Sequence, residues 1–138
     1  GAELASNCAL ALVAAPCVVY VRVMIVLAQA SATLVSLTKG EMLSQTIPTK
    51  LQAYLASGRP ILASLDGWAA ELVTAAGAGL ASPAEDVEGL ARNVRRLMAM
   101  EEEARLRMGE AGRILFQQQF RPDTLAERLV ARLRQLLA

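Results

Sequence analysis

The sequence predicts an α/β fold, a partial doubly wound parallel sheet followed by a helical C-terminal tail. Short apolar runs alternate with helical patterns between residues 32 and 81, an almost unbroken apolar run stands near the start of the chain, and helical spacing continues after residue 82. Alternating strands and helices are typical of a parallel sheet with right-handed crossovers. Continuous apolar runs are typical of parallel strands that are covered on both faces.

The composition limits the protein to a few functional classes. Its 138 residues fit one domain, and 54% apolar residues can build a core, which excludes a disordered polyelectrolyte. The net charge of +1 gives no reason to expect a nucleic-acid-binding surface. Histidine is absent, which excludes Ser-His-Asp and Cys-His nucleophiles. Cys8 and Cys17 are too few for a tetrahedral zinc site and predict buried thiols in a reducing compartment.

Residues 1–36 differ from the rest of the chain because they are largely apolar. We expect a buried helix from Glu3 to Ala15, a strand from Val18 to Val23, and a short helix that ends near Ala30. The only early charge is acidic, so the segment does not resemble a signal peptide. Pro16 and Arg22 interrupt the apolar run, which argues against a membrane-spanning helix. A membrane-associated helical protein organised around this segment is an alternative.

Residues 32–81 supply the predicted alternation of strands and helices. The strands are expected at Ala32–Leu37, Pro60–Leu65 and Gly79–Ala81. The helices between them are expected at Lys50–Ser57 and Ala69–Ala76. This β-α-β-α-β series is the part of the chain that predicts the parallel sheet.

The ends of these elements carry their own signals. Thr49 is the expected N-cap of the first helix, with Pro48 before it, and Gly58 is the expected helix stop. We expect a polar loop at Thr38–Glu41 and a strand-ending turn at Asp66–Gly67.

The last third of the chain is predicted to be helical. A capping box with proline at the first helical position, Ser82–Glu85, begins a helix that continues to about Ala99. A second helix begins at Glu101–Glu103, and a third runs from Asp123 to Leu137. The apolar stripes are Ala104, Met108, Ala111 and Leu115 on the second helix and Leu125, Leu129, Leu133 and Leu136 on the third.

Two surfaces of the predicted fold are open to contacts. Arg128, Arg132 and Arg134 of the last helix fit an anionic membrane surface, although Glu127 among them favours a solvated face. An unpaired sheet edge and an uncovered domain face predict poor solubility or self-association.

The segment from Ser44 to Pro60 is the strongest candidate for a binding site. It places a polar loop at the carboxyl end of a predicted parallel strand and opens a helix at Thr49, where doubly wound sheets bind their ligands. Free backbone N–H groups at the helix start suit a phosphate or diphosphate. Lys50 adds a positive charge, and Thr46 and Thr49 add hydroxyl donors; an ordinary capped helix is the alternative. Trp68, the only tryptophan, either stacks on a ring or packs into the core.

Several motifs follow one another along the chain with a characteristic spacing. They are Thr46-Ile-Pro-Thr-Lys-Leu51, Tyr54-Leu-Ala-Ser-Gly-Arg-Pro60, Asp66-Gly67-x-Ala69-Ala-Glu71-Leu72, Gly77-x-Gly79, Pro83-x-Glu85, Met108-Gly109-x-x-Gly112 and Phe120-Arg121. Together they resemble the C-terminal, donor-binding domain of family 4 glycosyltransferases, which have the two-Rossmann, GT-B architecture. The resemblance is closest to the bacterial branch that builds cell-surface polysaccharides, and it covers roughly residues 27–138.

The resemblance implies a retaining enzyme that transfers a hexosyl or N-acetylhexosaminyl group from a UDP- or GDP-sugar, with no cofactor and no metal. Residues 27–138 are then the C-terminal portion of the donor-binding domain, and residues 1–26 are an apolar start that matches poorly. The expected partner is the missing N-terminal acceptor domain, without nucleic acid, and the isolated chain is expected to be inactive. The expected location is the cytoplasm, peripherally at the inner face of the cytoplasmic membrane. A non-catalytic binding or interaction module is the alternative function.

The resemblance also indicates which residues would bind the donor. The two glutamates that the family carries eight positions apart correspond to Gln45 and Ala53. The Gln45 amide can still hydrogen-bond a sugar hydroxyl. Ala53 offers no such group to a ribose, so Gln52 is its expected substitute, and Glu41 is a further candidate carboxylate. No catalytic residue is assigned, and the expected donor-binding residues are Glu41, Gln45, Thr46, Pro48, Thr49, Lys50, Gln52 and Ala53.

Overall fold

The computed structural model of the chain describes residues 21–137, of which residues 21–29 are helical (α1). The helix predicted from Glu3 to Ala15 and residues 18–20 of the first predicted strand lie outside the described residues. The other elements are β1 (Thr33–Ser36), α2 (Glu41–Ser44), α3 (Thr49–Ser57), β2 (Ile61–Ser64), α4 (Trp68–Ala75), β3 (Gly79–Ser82), α5 (Val87–Ala99), α6 (Glu102–Gln119) and α7 (Pro122–Leu137).

Strands β1, β2 and β3 form a parallel sheet with β2 in its centre. Thr33 pairs with Ile61, and Ile61 pairs with Gly79, so the three strands start in register. Helices α3 and α4 connect neighbouring strands. The predicted fold class, a partial doubly wound parallel sheet with a helical tail, is therefore confirmed. A purely helical protein does not fit the described residues.

The main core lies between one face of the sheet and helices α3, α4 and α6. Val35 of β1 and Ile61 and Ala63 of β2 supply the sheet side and are 3%, 0% and 1% exposed. Full burial of a leucine or isoleucine side chain contributes roughly 1.5–3 kcal/mol. The facing side chains are Leu51 and Leu55 of α3, Ala69 and Val73 of α4, and Leu115 of α6.

Helices α3 and α6 approach each other closely because both have glycine at their contact. Gly58 ends α3 with a left-handed φ of +68°, which confirms the predicted helix stop. A Cβ atom on Gly109 of α6 would lie 2.0 Å from the Gly58 carbonyl oxygen, so no side chain fits there. The predicted apolar stripe of α6 is correct at Leu115, which is buried, whereas Ala104, Met108 and Ala111 are only half-buried.

Helix α5 packs on the opposite face of the sheet. Leu62 of β2 and Leu97 of α5 are buried on this side and line the same cavity. The Asn93 side-chain amide donates to the Ala81 carbonyl oxygen at 3.0 Å, which joins α5 to β3. Leu34 of the edge strand β1 is 51% exposed, so this face is covered less completely than the other.

The strand predicted from Val18 to Val23 is wrong at its described end, because residues 21–29 form α1. Val21 and Val23 are 54% and 48% exposed. A preference of β-branched residues for strands reflects packing on a half-buried pleated surface, and no strand of residues 21–137 pairs with Val21 or Val23. The predicted helix end near Ala30 is confirmed, since its N–H donates to the Leu27 carbonyl oxygen at 3.2 Å.

The predicted helix start at Ser82–Glu85 is also wrong. Ser82 is the last residue of β3 and is 6% exposed, so it belongs to the sheet and does not begin the helix. Glu85 has a positive φ of +66°, which no helix accommodates. Helix α5 begins at Val87 after Asp86, whose carboxylate accepts the Gly89 N–H at 2.9 Å. The predicted helix end near Ala99 is correct.

Helix α7 starts one residue earlier than predicted, at Pro122, and none of its described residues is buried. Among the described elements it contacts mainly α6. The predicted leucine stripe is therefore on the surface: Leu125, Leu129, Leu133 and Leu136 are 46%, 61%, 48% and 69% exposed. Between residues 21 and 137, the chain forms no helix of the length and apolarity that crossing a membrane requires.

Candidate functional site

The loops after the three strands open at the same edge of the sheet because the strands are parallel. The chain after β1 forms an unpredicted short helix, α2, and then leads into α3. Asp66 and Gly67 follow β2, in agreement with the predicted turn, and residues 83–86 follow β3. The candidate site is this carboxyl edge of the sheet.

Side-chain hydrogen bonds join the three loops to one another. The Lys39 N–H donates to Oε1 of Glu85 at 3.1 Å, which links the loop after β1 to the loop after β3. The Ala84 N–H donates to Oδ1 of Asp66 at 3.1 Å, which links the loops after β2 and β3. These bonds hold the loops in fixed positions around the candidate site.

Gly67 brings α2 next to the loop after β2. Its φ of +84° lies in the region that favours glycine, and a Cβ atom would lie 2.1 Å from the Ser44 carbonyl oxygen. Only glycine permits this backbone contact. The end of α2 therefore lies beside the start of α4.

Helix α2 and the residues that follow it hold three of the predicted donor-binding residues, Glu41, Gln45 and Thr46, and all three are exposed. The Thr46 hydroxyl donates to the Met42 carbonyl oxygen at 2.7 Å. Its single proton is thereby used within the segment, and its oxygen remains able to accept. Gln45 closes α2 as its C-cap residue.

Helix α3 has no side-chain cap. The prediction of Thr49 as N-cap is wrong: Pro48 takes that position with an extended ψ of 136°, and Thr49 is the first helical residue. The Pro48 carbonyl oxygen accepts the Leu51 N–H at 2.9 Å. The N–H groups of Thr49 and Lys50 make no backbone hydrogen bond within the described residues, so they are free for a ligand.

A cavity of about 410 Å³ lies between the carboxyl half of β1 and the start of α3. It brings together three predicted residues, Pro48, Thr49 and Lys50, whereas Gln52 and Ala53 are half-buried further along α3 and do not line it. Its other lining residues are Leu34, Val35, Ser36, Leu37 and Tyr54. Tyr54 was not predicted, although its position four residues after Lys50 places both on one helix face.

The charge at this cavity is positive on the α3 side. Lys50 is exposed and makes no ion pair within 4.0 Å among the described residues. The amino-terminal end of a helix carries a partial positive charge. Lys50 and the helix start together favour an anionic ligand such as a phosphate.

A second, smaller cavity lies at the ends of β2 and β3. Its volume is about 240 Å³, and Asp66, Gly67, Glu71 and Pro83 are among its lining residues. Its two carboxylates make it unsuited to a phosphate. Over residues 21–137, no group of three or more cysteine, aspartate or glutamate side chains is placed to hold a metal ion.

The comparisons with known proteins identify the type of fold. No protein-family model and no curated protein sequence matches the chain. Its structure is similar to that of sucrose-phosphate synthase from Thermosynechococcus elongatus, with a TM-score of 0.63 and 25% identity over 78% of this chain. The match covers 26% of the synthase chain, so this protein spans about a quarter of that structure. The chain has a glycosyltransferase-like, Rossmann-type fold.

Proposed function

We propose that the chain is the donor-binding part of a glycosyltransferase that uses a UDP- or GDP-sugar and transfers a hexosyl or N-acetylhexosaminyl group. The observation that carries the proposal is the uncapped start of α3 beside a cavity of about 410 Å³ at the carboxyl edge of a parallel sheet. Open α/β sheets bind ligands at this edge, and a helix start binds phosphate. Similarity to a sucrose-phosphate synthase supports the same class of reaction.

In this proposal the α3 start stabilises the nucleoside diphosphate as it leaves the sugar. Charge grows on the leaving phosphate oxygens, and donors that are already in position stabilise that charge without reorganisation. The N–H groups of Thr49 and Lys50 and the Lys50 ammonium group would supply this stabilisation. No covalent nucleophile is required, which suits a chain without histidine.

The residues around α2 and along α3 would hold the rest of the donor. The Gln45 amide is proposed to hydrogen-bond a sugar hydroxyl, and Glu41, at the other end of α2, is proposed to add a carboxylate. Gln52 is proposed to contact the nucleoside in place of Ala53, whose methyl group cannot hydrogen-bond. Thr46 would accept a hydrogen bond through its oxygen, since its proton is engaged.

We further propose that the chain belongs to family 4, in the branch that builds cell-surface polysaccharides. It is supported by the order of the motifs across residues 27–138 and by the glycosyltransferase-like fold. The proposed acceptor site lies in a separate N-terminal domain. The proposed location is the cytoplasm, peripherally at the inner face of the cytoplasmic membrane, where the arginines and exposed leucines of α7 would meet the surface.

A binding module without turnover is the second candidate function. Ala53, which lacks a ribose-binding group, favours it, and so does the exposed leucine stripe of α7, which suits a partner surface. Such a module would bind through α7 and would not need a donor.

Isothermal titration calorimetry of the full chain with UDP, GDP and UMP separates the two functions. Donor binding predicts heat with UDP or GDP and weaker binding of UMP, because UMP lacks the second phosphate that the α3 start would hold. Equal affinity for UMP and UDP would contradict the assigned phosphate position. No heat with any nucleotide would contradict donor binding and favour the interaction module.

A further inference from the structure

Trp68 is left out of the core although it is the only tryptophan in the chain. It is the first residue of α4 and is 55% exposed, whereas Ala69 and Val73 of the same helix are 1% and 0% exposed. A tryptophan side chain can bury 150–250 Å², roughly, so its exposure leaves a large favourable contribution unused. Simple packing into the core does not explain its presence.

Two more apolar side chains are exposed beside it. Met42 and Leu43 of α2 are 85% and 38% exposed. The end of α2 lies against the start of α4, because the Ser44 carbonyl oxygen occupies the space where Gly67 would carry a side chain. All three exposed side chains lie at the carboxyl edge of the sheet, on α2 and at the start of α4, and we call Met42, Leu43 and Trp68 the apolar rim.

The backbone holds this rim in place. Gly67 adopts a φ of +84° and contacts Ser44, and the preceding Asp66 accepts the Ala84 N–H at 3.1 Å. The backbone at the end of α2 and at the start of α4 is therefore held in one arrangement before a ligand binds. Binding to a preorganised surface loses less conformational entropy.

The rim and the proposed phosphate position follow neighbouring strands of the sheet. Helix α3 follows β1 and α4 follows β2, and these strands are paired in parallel, so both helices start at the carboxyl edge. A group bonded directly to a phosphate at the α3 start can extend along this edge toward the α4 start. In a nucleotide-sugar that group is the sugar, whereas the base is separated from the diphosphate by the ribose.

We propose that Trp68, supported by Met42 and Leu43, contacts the apolar C–H face of the donor sugar ring. The inference rests on the proposed function and adds the residue that recognises the sugar. A pyranose has an apolar ring face and a polar edge of hydroxyl groups. The indole ring of Trp68 would contact the apolar ring face, and the neighbouring Gln45 amide would hydrogen-bond the hydroxyl groups.

The test compares UDP with UDP-glucose on the full chain and on three variants, Trp68→Ala, Trp68→Phe and Met98→Ala. Met98 of α5 is 75% exposed and lies on the other face of the sheet, so it controls for the loss of an exposed apolar side chain. Trp68→Ala should weaken UDP-glucose binding about tenfold, the size expected for loss of one aromatic stacking contact, and leave UDP binding unchanged. Trp68→Phe should retain most of the affinity, and Met98→Ala all of it.

The single tryptophan is also a reporter of the contact. UDP-glucose should change the indole emission of the unmodified chain, and UDP should not. Equal losses of UDP and UDP-glucose affinity in Trp68→Ala would overturn the assignment, because the contact would then be to the nucleoside. Unchanged UDP-glucose affinity in Trp68→Ala would overturn it while the proposed function stands. Failure of the unmodified chain to bind UDP, GDP, UDP-glucose or GDP-glucose would overturn the proposed function and this inference together.

Discussion

Helices α3 and α5 both begin at the carboxyl edge of the sheet, but their starts are built differently. Helix α5 follows Asp86, whose carboxylate accepts the Gly89 N–H at 2.9 Å and lies 3.9 Å from Arg92. Helix α3 follows Pro48, which has no side-chain acceptor, and its exposed first residues include a lysine. The α5 start has a side-chain cap, and the α3 start has none.

The difference separates a structural helix start from one suited to a ligand. The Asp86 carboxylate occupies the position that an anion would take and would repel a phosphate. At α3 the free N–H groups, the helix dipole and the Lys50 charge all attract one. A capped helix start stabilises the folded protein. An uncapped start beside a cavity of about 410 Å³ is available to bind a ligand.

The largest expected effect is that of Lys50→Ala on nucleoside diphosphate binding. Removal of a charged hydrogen-bond donor should cost roughly 1–3 kcal/mol, or about ten- to a hundredfold in affinity for UDP or GDP. Arg107→Ala is the matched control, because Arg107 is an exposed cation paired with Glu103 on α6. Calorimetry in one buffer checks both variants. Equal affinities, with both proteins folded, would mean that the α3 start does not bind the phosphate.

Pro48→Asp should make the α3 start resemble the α5 start. The new carboxylate would cap the helix and stabilise it by about 1 kcal/mol, and it would compete with the phosphate. We expect UDP affinity to fall about tenfold, or about 1.4 kcal/mol. Pro48→Asn separates the two effects, since asparagine caps the helix without adding a charge. A gain in stability with undiminished UDP affinity in Pro48→Asp would argue that the phosphate lies elsewhere.

The converse change, Asp86→Ala, should affect stability and not binding. Loss of an N-cap carboxylate costs about 1 kcal/mol of unfolding free energy, measurable as a lower urea midpoint. Asp86→Asn retains an acceptor for the Gly89 N–H and should lose much less. A fall in UDP affinity in Asp86→Ala at unchanged folding would place the ligand nearer to α5 than to α3.

The sequence predicts those elements whose local pattern and tertiary role agree. The strands around Val35, Ile61 and Gly79 were found because apolar runs and flanking turn residues both mark them. The predicted start of α5 is wrong because Ser82–Glu85 has the composition of a capping box, whereas Ser82 is the last residue of β3 and is buried there. Residues 21–23 are predicted as a strand on propensity alone, but they have no strand to pair with in the part of the chain that the structure describes, and they form part of α1.

The candidate site was predictable only as a segment. Proline and lysine at a helix start indicate where a phosphate can bind, and the structure places Pro48, Thr49 and Lys50 on one cavity. The contact between Gly67 and Ser44, which puts Trp68 beside α2, joins loops more than twenty residues apart in sequence. No local pattern indicates such a contact, because it depends on the pairing of β1 with β2.

The smallest expected effect concerns a third helix start, that of α7. A hydrogen bond from its own backbone N–H, together with the Arg121 side chain, lowers the pKa of Asp123 below its usual range. A carboxyl group with a lowered pKa in the folded state stabilises that state at pH above the usual aspartate value, and this contribution is lost as the pH falls through the lowered value. Asp123→Asn should therefore lose less helicity than the unmodified chain between pH 5 and about pH 2, measured by circular dichroism. The difference should be small, and smaller still in high salt, because the Asp123 side chain is exposed to solvent. Identical pH curves for the two proteins would show that Asp123 does not stabilise the α7 start, and Asp86 would then be the better example of a carboxylate that does.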